Sequence, residues 1–272
     1  MAPLTAGNTR VKDARKLHRR SERSERRCFL ADGPKAVEGA LSVPDCVIEV
    51  FATATAAEEY ADLLGAAPVT LVDDRAMSAL SDSVSPAGLV AVCNLLDVPL
   101  ETVVEVRGAP ATSLETSALP LLAICADVRD PGNAGTVIRC ADAAGAAGVV
   151  LAGDAVDLHN PKTIRASVGS AFHLPVALER DPAAAVAAAR AAGYQVLAAV
   201  GGGELDLFAA DDVLAKPTAW LFGNEAWGLP DELAALADHR VSIPILGRAE
   251  SLNLATAAAV CLYASTRAMM RA

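Results

Sequence analysis

The stretch "DVRDPGNAGTVIRCADAAGA", residues 127–146, follows an apolar run from Leu121 to Ala126. A strand that runs into Gly132 and Gly135 and then into a helical pattern has the outline of a nucleotide-binding loop. A dinucleotide fingerprint, however, needs three glycines at fixed offsets and an acid about twenty residues further on. Here the spacing is Asn133-x-Gly135-x-x-x-Arg139. Gly135 at a helix start lets the backbone approach a ligand closely. Arg139, one turn later, shares its face, and a guanidinium offers a rigid fork of donors to a phosphate or ribose oxygen. A capping asparagine and a surface arginine give the same pattern, so this loop alone leaves the chemistry open. It does fix the local architecture as strand, loop, helix.

The same alternation continues downstream. "AGVVLAG", "YQVLAAV", "TAWLFGN" and "HRVSIPI" are near-continuous apolar runs, which belong to parallel strands buried on both faces. Helical patterns fall at 133–145, 181–192, 230–237 and 251–270. The expectation is an open α/β sheet, in which ligands lie beyond the carboxyl ends of strands. That rule selects loops 127–139, 222–229 and 245–253.

In the second loop, "LFGNEAWGL" (221–229), Glu225 stands at the end of a buried strand. A carboxylate there is costly unless it is paired or used. In the third, "IPILGRAESLNLATAAAVCLY" (243–263), Ser251 or Asn253 can cap the long helix that follows, and such helix starts favour anions. Capping accounts for one of these residues, not for Gly247, Glu250, Ser251 and Asn253 together.

Upstream, "GAPATSLETSALP" (108–120) has no apolar period and reads as a linker. This divides the chain into residues 1–107, a linker at 108–119, and residues 120–272. The first part is a smaller α/β domain with strands at "RCFLAD", "CVIEVFAT", "PVTLVD" and "GLVAVCN" and with Gly33-Pro34 opening its first helix.

The 272-residue chain has a net charge of −10, but residues 1–30 carry nine Lys/Arg against three acids. Either this basic arm, with Arg10, Lys12 and Arg15, meets an anionic partner, or it is a solvated amphipathic helix. No apolar run reaches membrane-spanning length, and the basic N-terminus lacks the apolar core of a secretory signal. A cytoplasmic protein with no membrane partner is expected. The six cysteines form no CxxC pair and do not cluster with the four histidines, so they read as small buried hydrophobes and no metal is expected.

The ordered set N-x-G-x-x-x-R, F-G-N-E-x-x-G-L and I-P-x-x-G-x-x-x-S-L-N resembles the three motifs of the SpoU (TrmH-like) RNA 2′-O-ribose methyltransferases of the SPOUT superfamily. The resemblance runs from about residue 120 to the end. "RCFLADGPKAVEGAL" is similar to the family's L30e-like RNA-binding module, with Asp32 where the family more often shows Glu. The resemblance implies a parallel sheet with a deep trefoil knot, S-adenosylmethionine as cofactor and a homodimer. It implies a cofactor cradle of Leu221, Phe222, Gly223, Ile243, Ile245, Leu252 and Asn253. It implies a catalytic cluster of Asn133, Arg139, Glu225, Ser251 and Asn253, with Arg139 the residue most tied to the chemistry. Because arginine stays protonated in proteins, Arg139 reads as an oxyanion and phosphate clamp polarised by Glu225 rather than as a general base. It sets "HNPKTIRASVGSAFHLPV" (159–176) beside the active site. There Lys162 and Arg165 contact substrate phosphates, or Arg165 pairs with an acid of the dimer partner. Ribosomal RNA is the implied substrate, transfer RNA the alternative.

Other classes are weaker. A nicotinamide-dependent oxidoreductase needs GxGxxG early in a βαβ unit, and "VGGGELD" (200–206) has no helix directly after it. A binding-only protein on the same fold would show gaps in the three motifs. A base-methylating relative is disfavoured by Ser251-Leu252-Asn253.

Overall fold

The computed structural model describes residues 2–105 and 118–272. Residues 108–117 of the expected linker lie outside the described residues, and Leu119 already opens a strand. The chain divides into two compact units, Met1–Leu96 with His159–His173, and Asp97–Leu158 with Leu174–Ala272.

The first unit holds β1 (Cys28–Asp32), β2 (Val47–Ala52), β3 (Val69–Leu71) and β4 (Leu89–Asn94) in the order β1-β4-β2-β3. Strand β4 runs antiparallel to β1 and β2, whereas β2 and β3 are parallel. The basic arm is an ordered part of this unit. Asn8 caps the helix Thr9–Lys16 by accepting from Arg10 N at 2.9 Å. Val11, Ala14 and Leu17 enter a core with Leu30, Phe51, Met77 and Val90, the one-sided spacing expected of a docked helix. Buried Arg23 donates to the Leu17 and His18 carbonyls at 2.9 Å each, which satisfies the open end of that helix.

The segment His159–His173 also packs in this unit. Phe29 lies 5.0 Å from the His159 ring and 6.2 Å from that of Phe172. Gly39 leaves no room for a side chain, since a Cβ would stand 2.6 Å from Phe172 Cδ2.

The second unit holds β5 (Leu119–Ala126), β6 (Ala146–Ala152), β7 (Val176–Glu179), β8 (Gln195–Ala199), β9 (Leu205–Asp206), β10 (Thr218–Phe222) and β11 (His239–Ser242). They form one sheet in the order β7-β6-β5-β10-β8-β11-β9, parallel throughout. Every residue of β6 and β10 is buried, as strands covered on both faces require. Leu122, Ile124, Ala219 and Leu221 face a core shared with Ala185, Val186 and Ala189 of the helix Pro182–Ala191. The alternate residues point the other way, and Trp220 donates its indole N–H to Ser265 Oγ at 2.9 Å on the helix Leu254–Met269.

The short strands β7 and β9 were not legible as apolar runs, because four and two residues carry too little pattern. Among the described residues no helix is long and apolar enough to cross a membrane.

Candidate active site

The sheet order reverses at its centre. From β5 the chain moves outward through β6 to β7, and later returns to place β10 on the other side of β5. Such a switch point leaves a crevice beyond the strand ends. Because Cys125 of β5 lies opposite Phe222 of β10, the loops that follow leave the sheet side by side.

The first loop is braced from both sides. Asp127 takes a left-handed φ of 54° and accepts from Asp154 N at 2.7 Å. Asp130 caps the helix Pro131–Ala143, accepting from Asn133 N at 2.7 Å, with Pro131 in the first turn. The cap is thus Asp130 and not Asn133, which leaves the Asn133 side chain available for other partners. The Asp-Pro pair was the sequence signal for it.

The second loop closes on itself. A Cβ on Gly223 would stand 2.3 Å from the Gly228 carbonyl carbon, so only glycine fits this close approach. Asn224 and Gly228 exchange backbone hydrogen bonds of 2.9 Å, and Asn224 Nδ2 donates to the Asp127 carbonyl at 2.7 Å. This tight turn sets Glu225 over the first loop. The Glu225 carboxylate accepts from Asp130 N at 3.1 Å, Arg129 N at 3.3 Å and Asn133 Nδ2 at 3.1 Å. Burial pushes the Glu225 carboxyl up, but hydrogen bonds from the Asn133 amide and from the backbone N–H groups of residues 225, 129 and 130 outweigh it and hold the group below its ordinary value. Beneath it, burial drives the Cys125 thiol up to about 12, so this cysteine stays protonated and is no nucleophile.

In the third loop, β11 ends at Ser242. Ile243 and Ile245 therefore belong to the loop, not to the strand that the sequence extends to Ile245. Asn253 caps the helix Leu254–Met269, accepting from Ala255 N at 2.9 Å and Thr256 N at 3.3 Å. Its amide donates to Asn133 Oδ1 at 3.0 Å. A continuous chain, Glu225–Asn133–Asn253, thus joins all three loops.

Ser251 is exposed and leaves the capping to Asn253. Arg139 is exposed too. It lies eight residues beyond Pro131, about 12 Å along the helix axis. Among the described residues no hydrogen bond or ion pair links it to Glu225, which is drawn instead to the free N–H groups and positive end of the helix start.

Leu221, Phe222 and Gly223 are buried at the floor, whereas Ile245 and Leu252 are apolar yet 38% exposed. No hydrogen bond among the described residues engages a backbone group between 243 and 252. Exposed apolar side chains beside open amides and carbonyls suit an adenosine ring held largely through backbone.

The remaining expected contact residues belong to the first unit. Arg165 pairs with Asp32 at 3.6 Å and Asp82 at 3.5 Å, and the Asp32 side chain is only 5% exposed. Arg165 is thus held by acids of its own chain. Lys162 is exposed beside its capping residue Asn160. A cavity of about 230 Å³ opens between Asp32, Lys35, Ser83 and Arg165. Arg10 is paired with Glu49 and donates to Thr70 Oγ1 at 3.1 Å, whereas Lys12 and Arg15 are exposed.

Residues 120–263 match the SpoU rRNA Methylase family. The chain belongs to that family. Residues 8–91 match the MRM3-like substrate binding domain. The SpoU chain is 34% identical over 95% of its length to the 23S rRNA (guanosine(2553)-2′-O)-methyltransferase RlmP of Bacillus subtilis, covering 96% of that protein. It is 44% identical over 143 residues, half of its length, to a 23S rRNA (uridine(2479)-2′-O)-methyltransferase of Streptomyces viridochromogenes, covering 49% of that protein. An AdoMet-bound rRNA methyltransferase from Sinorhizobium meliloti superposes with a TM-score of 0.80 at 33% identity, covering 98% of this SpoU chain and 97% of the other.

Proposed function

We propose that this SpoU protein is an S-adenosylmethionine-dependent RNA 2′-O-ribose methyltransferase that acts on large-subunit ribosomal RNA. The observation that carries the reading is the Glu225–Asn133–Asn253 chain at the switch point, in a family whose solved relatives include an AdoMet-bound rRNA methyltransferase.

When bound, S-adenosylmethionine supplies a sulfonium methyl that is already electrophilic. Leu221, Phe222 and Gly223 would hold it from the floor, and Ile243, Ile245, Leu252 and Asn253 from the third loop. The harder part is the nucleophile, because a ribose 2′-hydroxyl is a weak acid. The chain must align it with the methyl and stabilise the charge that develops on its oxygen. Arginine stays protonated in proteins, so Arg139 serves as a donor to that oxygen or to the adjacent phosphate. Glu225 and Asn133 keep the loops in register. Ser251 adds a hydroxyl at the mouth of the third loop.

The protein works as a homodimer in the cytoplasm. Arg139 is exposed and, among the described residues, unlinked to Glu225, which suits a site completed at a subunit interface. The knot is part of the same reading, since β10 enters between strands laid down earlier. The first unit selects the RNA, through the exposed Lys12, Arg15 and Lys162, supported by its match to a substrate-binding domain.

The test is transfer of labelled methyl to unmodified 23S rRNA, with total tRNA in parallel. Incorporation into rRNA at one methyl per molecule supports the reading. Incorporation into tRNA alone overturns the substrate assignment.

A further inference from the structure

The Trp227 side chain has no part in the chemistry above, yet its place is unusual. Aromatic residues make up 4% of the chain, and only two are tryptophans. Trp220 is fully buried. Trp227 is 55% exposed, two residues beyond Glu225. Its position is set by the closed turn from Asn224 to Gly228, where Ala226 N also donates to Asn224 Oδ1 at 2.8 Å. One face of the indole is taken by the Arg129 guanidinium, 5.2 Å from the ring centre. Arg129 is pinned in turn by Asp154 at 2.7 Å, and its backbone N–H reaches Glu225. Trp227 thus offers a flat aromatic surface, open to solvent and backed by a guanidinium, close to the Glu225 loop.

We propose that Trp227, backed by Arg129, is a stacking platform for an unpaired nucleobase of the substrate RNA, next to the nucleotide whose ribose is methylated. The inference rests on the RNA methyltransferase reading. Proteins that read RNA single strands and loops stack splayed bases on aromatic rings and guanidinium planes. Trp227 and Arg129 supply both on a rigid support. Stacking needs no net positive charge, which suits a site where Asp154 already neutralises Arg129. Duplex RNA keeps its base faces covered, so the platform selects an open loop. It acts on binding and orientation, with no contact to the reacting methyl required.

The two tryptophans make the test separable, because stacking on Trp227 quenches its fluorescence while Trp220 stays shielded. Titration of the full-length wild-type protein with a 23S rRNA fragment that it methylates is expected to quench the exposed component. Trp227→Ala is expected to weaken RNA binding roughly ten-fold, raise KM more than it lowers kcat, and leave the salt dependence of binding unchanged. Loss of a phosphate contact would reduce that salt slope. Trp227→Phe is expected to recover most of the affinity. Unchanged RNA affinity in Trp227→Ala overturns the proposal. So does a shift from dimer to monomer in light scattering, which would mean that a second copy of the chain covers the ring. A wild-type protein that methylates no RNA defeats the underlying reading instead, and the two failures are distinct.

Discussion

The Asn253 amide donates to Asn133 Oδ1 at 3.0 Å across 120 positions of sequence. That bond ties the start of the C-terminal helix to the start of the helix after β5. Asn133 passes the link on to Glu225 through its own amide. One side chain therefore sets the register of two loops, and its neighbours share the consequences.

Asn133→Ala removes an acceptor and a donor at once. Its backbone N–H keeps its bond to Asp130, so the helix cap survives. We expect kcat to fall more than ten-fold, with a loss of about 1 kcal/mol in stability. Single-turnover methylation and chemical denaturation measure the two effects separately.

Asn253 caps a helix with its oxygen and bridges loops with its nitrogen. Asn253→Ser keeps a capping oxygen and loses the bridge. Asn253→Ala loses both, and the missing cap costs about 1 kcal/mol. The serine variant is expected to melt close to wild type while losing activity, and the alanine variant to lose both. Equal melting of the two variants would show that the cap contributes little.

Glu225 is held ionised below its ordinary value, despite burial, by the Asn133 amide and three backbone N–H groups. A depressed folded-state value means that the native state resists protonation. Its contribution to stability is complete above the unfolded value, about 4.3, and is lost as pH falls through the folded one. Melting temperatures of wild type and Glu225→Gln, followed from about pH 6 down to pH 3, are expected to converge at the acid end. Parallel curves would contradict this role.

Gly223→Ala places a methyl 2.3 Å from the Gly228 backbone. The turn must move, and with it Glu225 and the floor of the proposed cradle. We expect S-adenosylmethionine binding by calorimetry to weaken at least ten-fold while the protein remains folded.

Much of this was legible in the residues. The buried strands β5, β6, β8 and β10 announce themselves as near-continuous apolar runs, and the open-sheet rule then selects the three loops that Glu225, Asn133 and Asn253 join. Glu225 was marked by its charge at the end of a buried strand. Other features depend on distance in sequence. Nothing local shows that Asn133 bonds Asn253, or that Arg165 meets Asp32 and Asp82. The segment 159–173 reads as one more helix of the second half, but Phe172 fills the space left by Gly39 and binds it into the first unit. Arg23 is one of nine basic residues in the arm, and only the fold shows it buried against two carbonyls.

The most direct test is the chemical identity of the product. Unmodified 23S rRNA is methylated by wild type and by Arg139→Ala, and the nucleosides are resolved by mass spectrometry after alkaline hydrolysis. The account predicts one 2′-O-methylated nucleoside, recovered in an alkali-resistant dinucleotide with wild type and missing with Arg139→Ala. A base-methylated nucleoside, or equal product from both proteins, would contradict it.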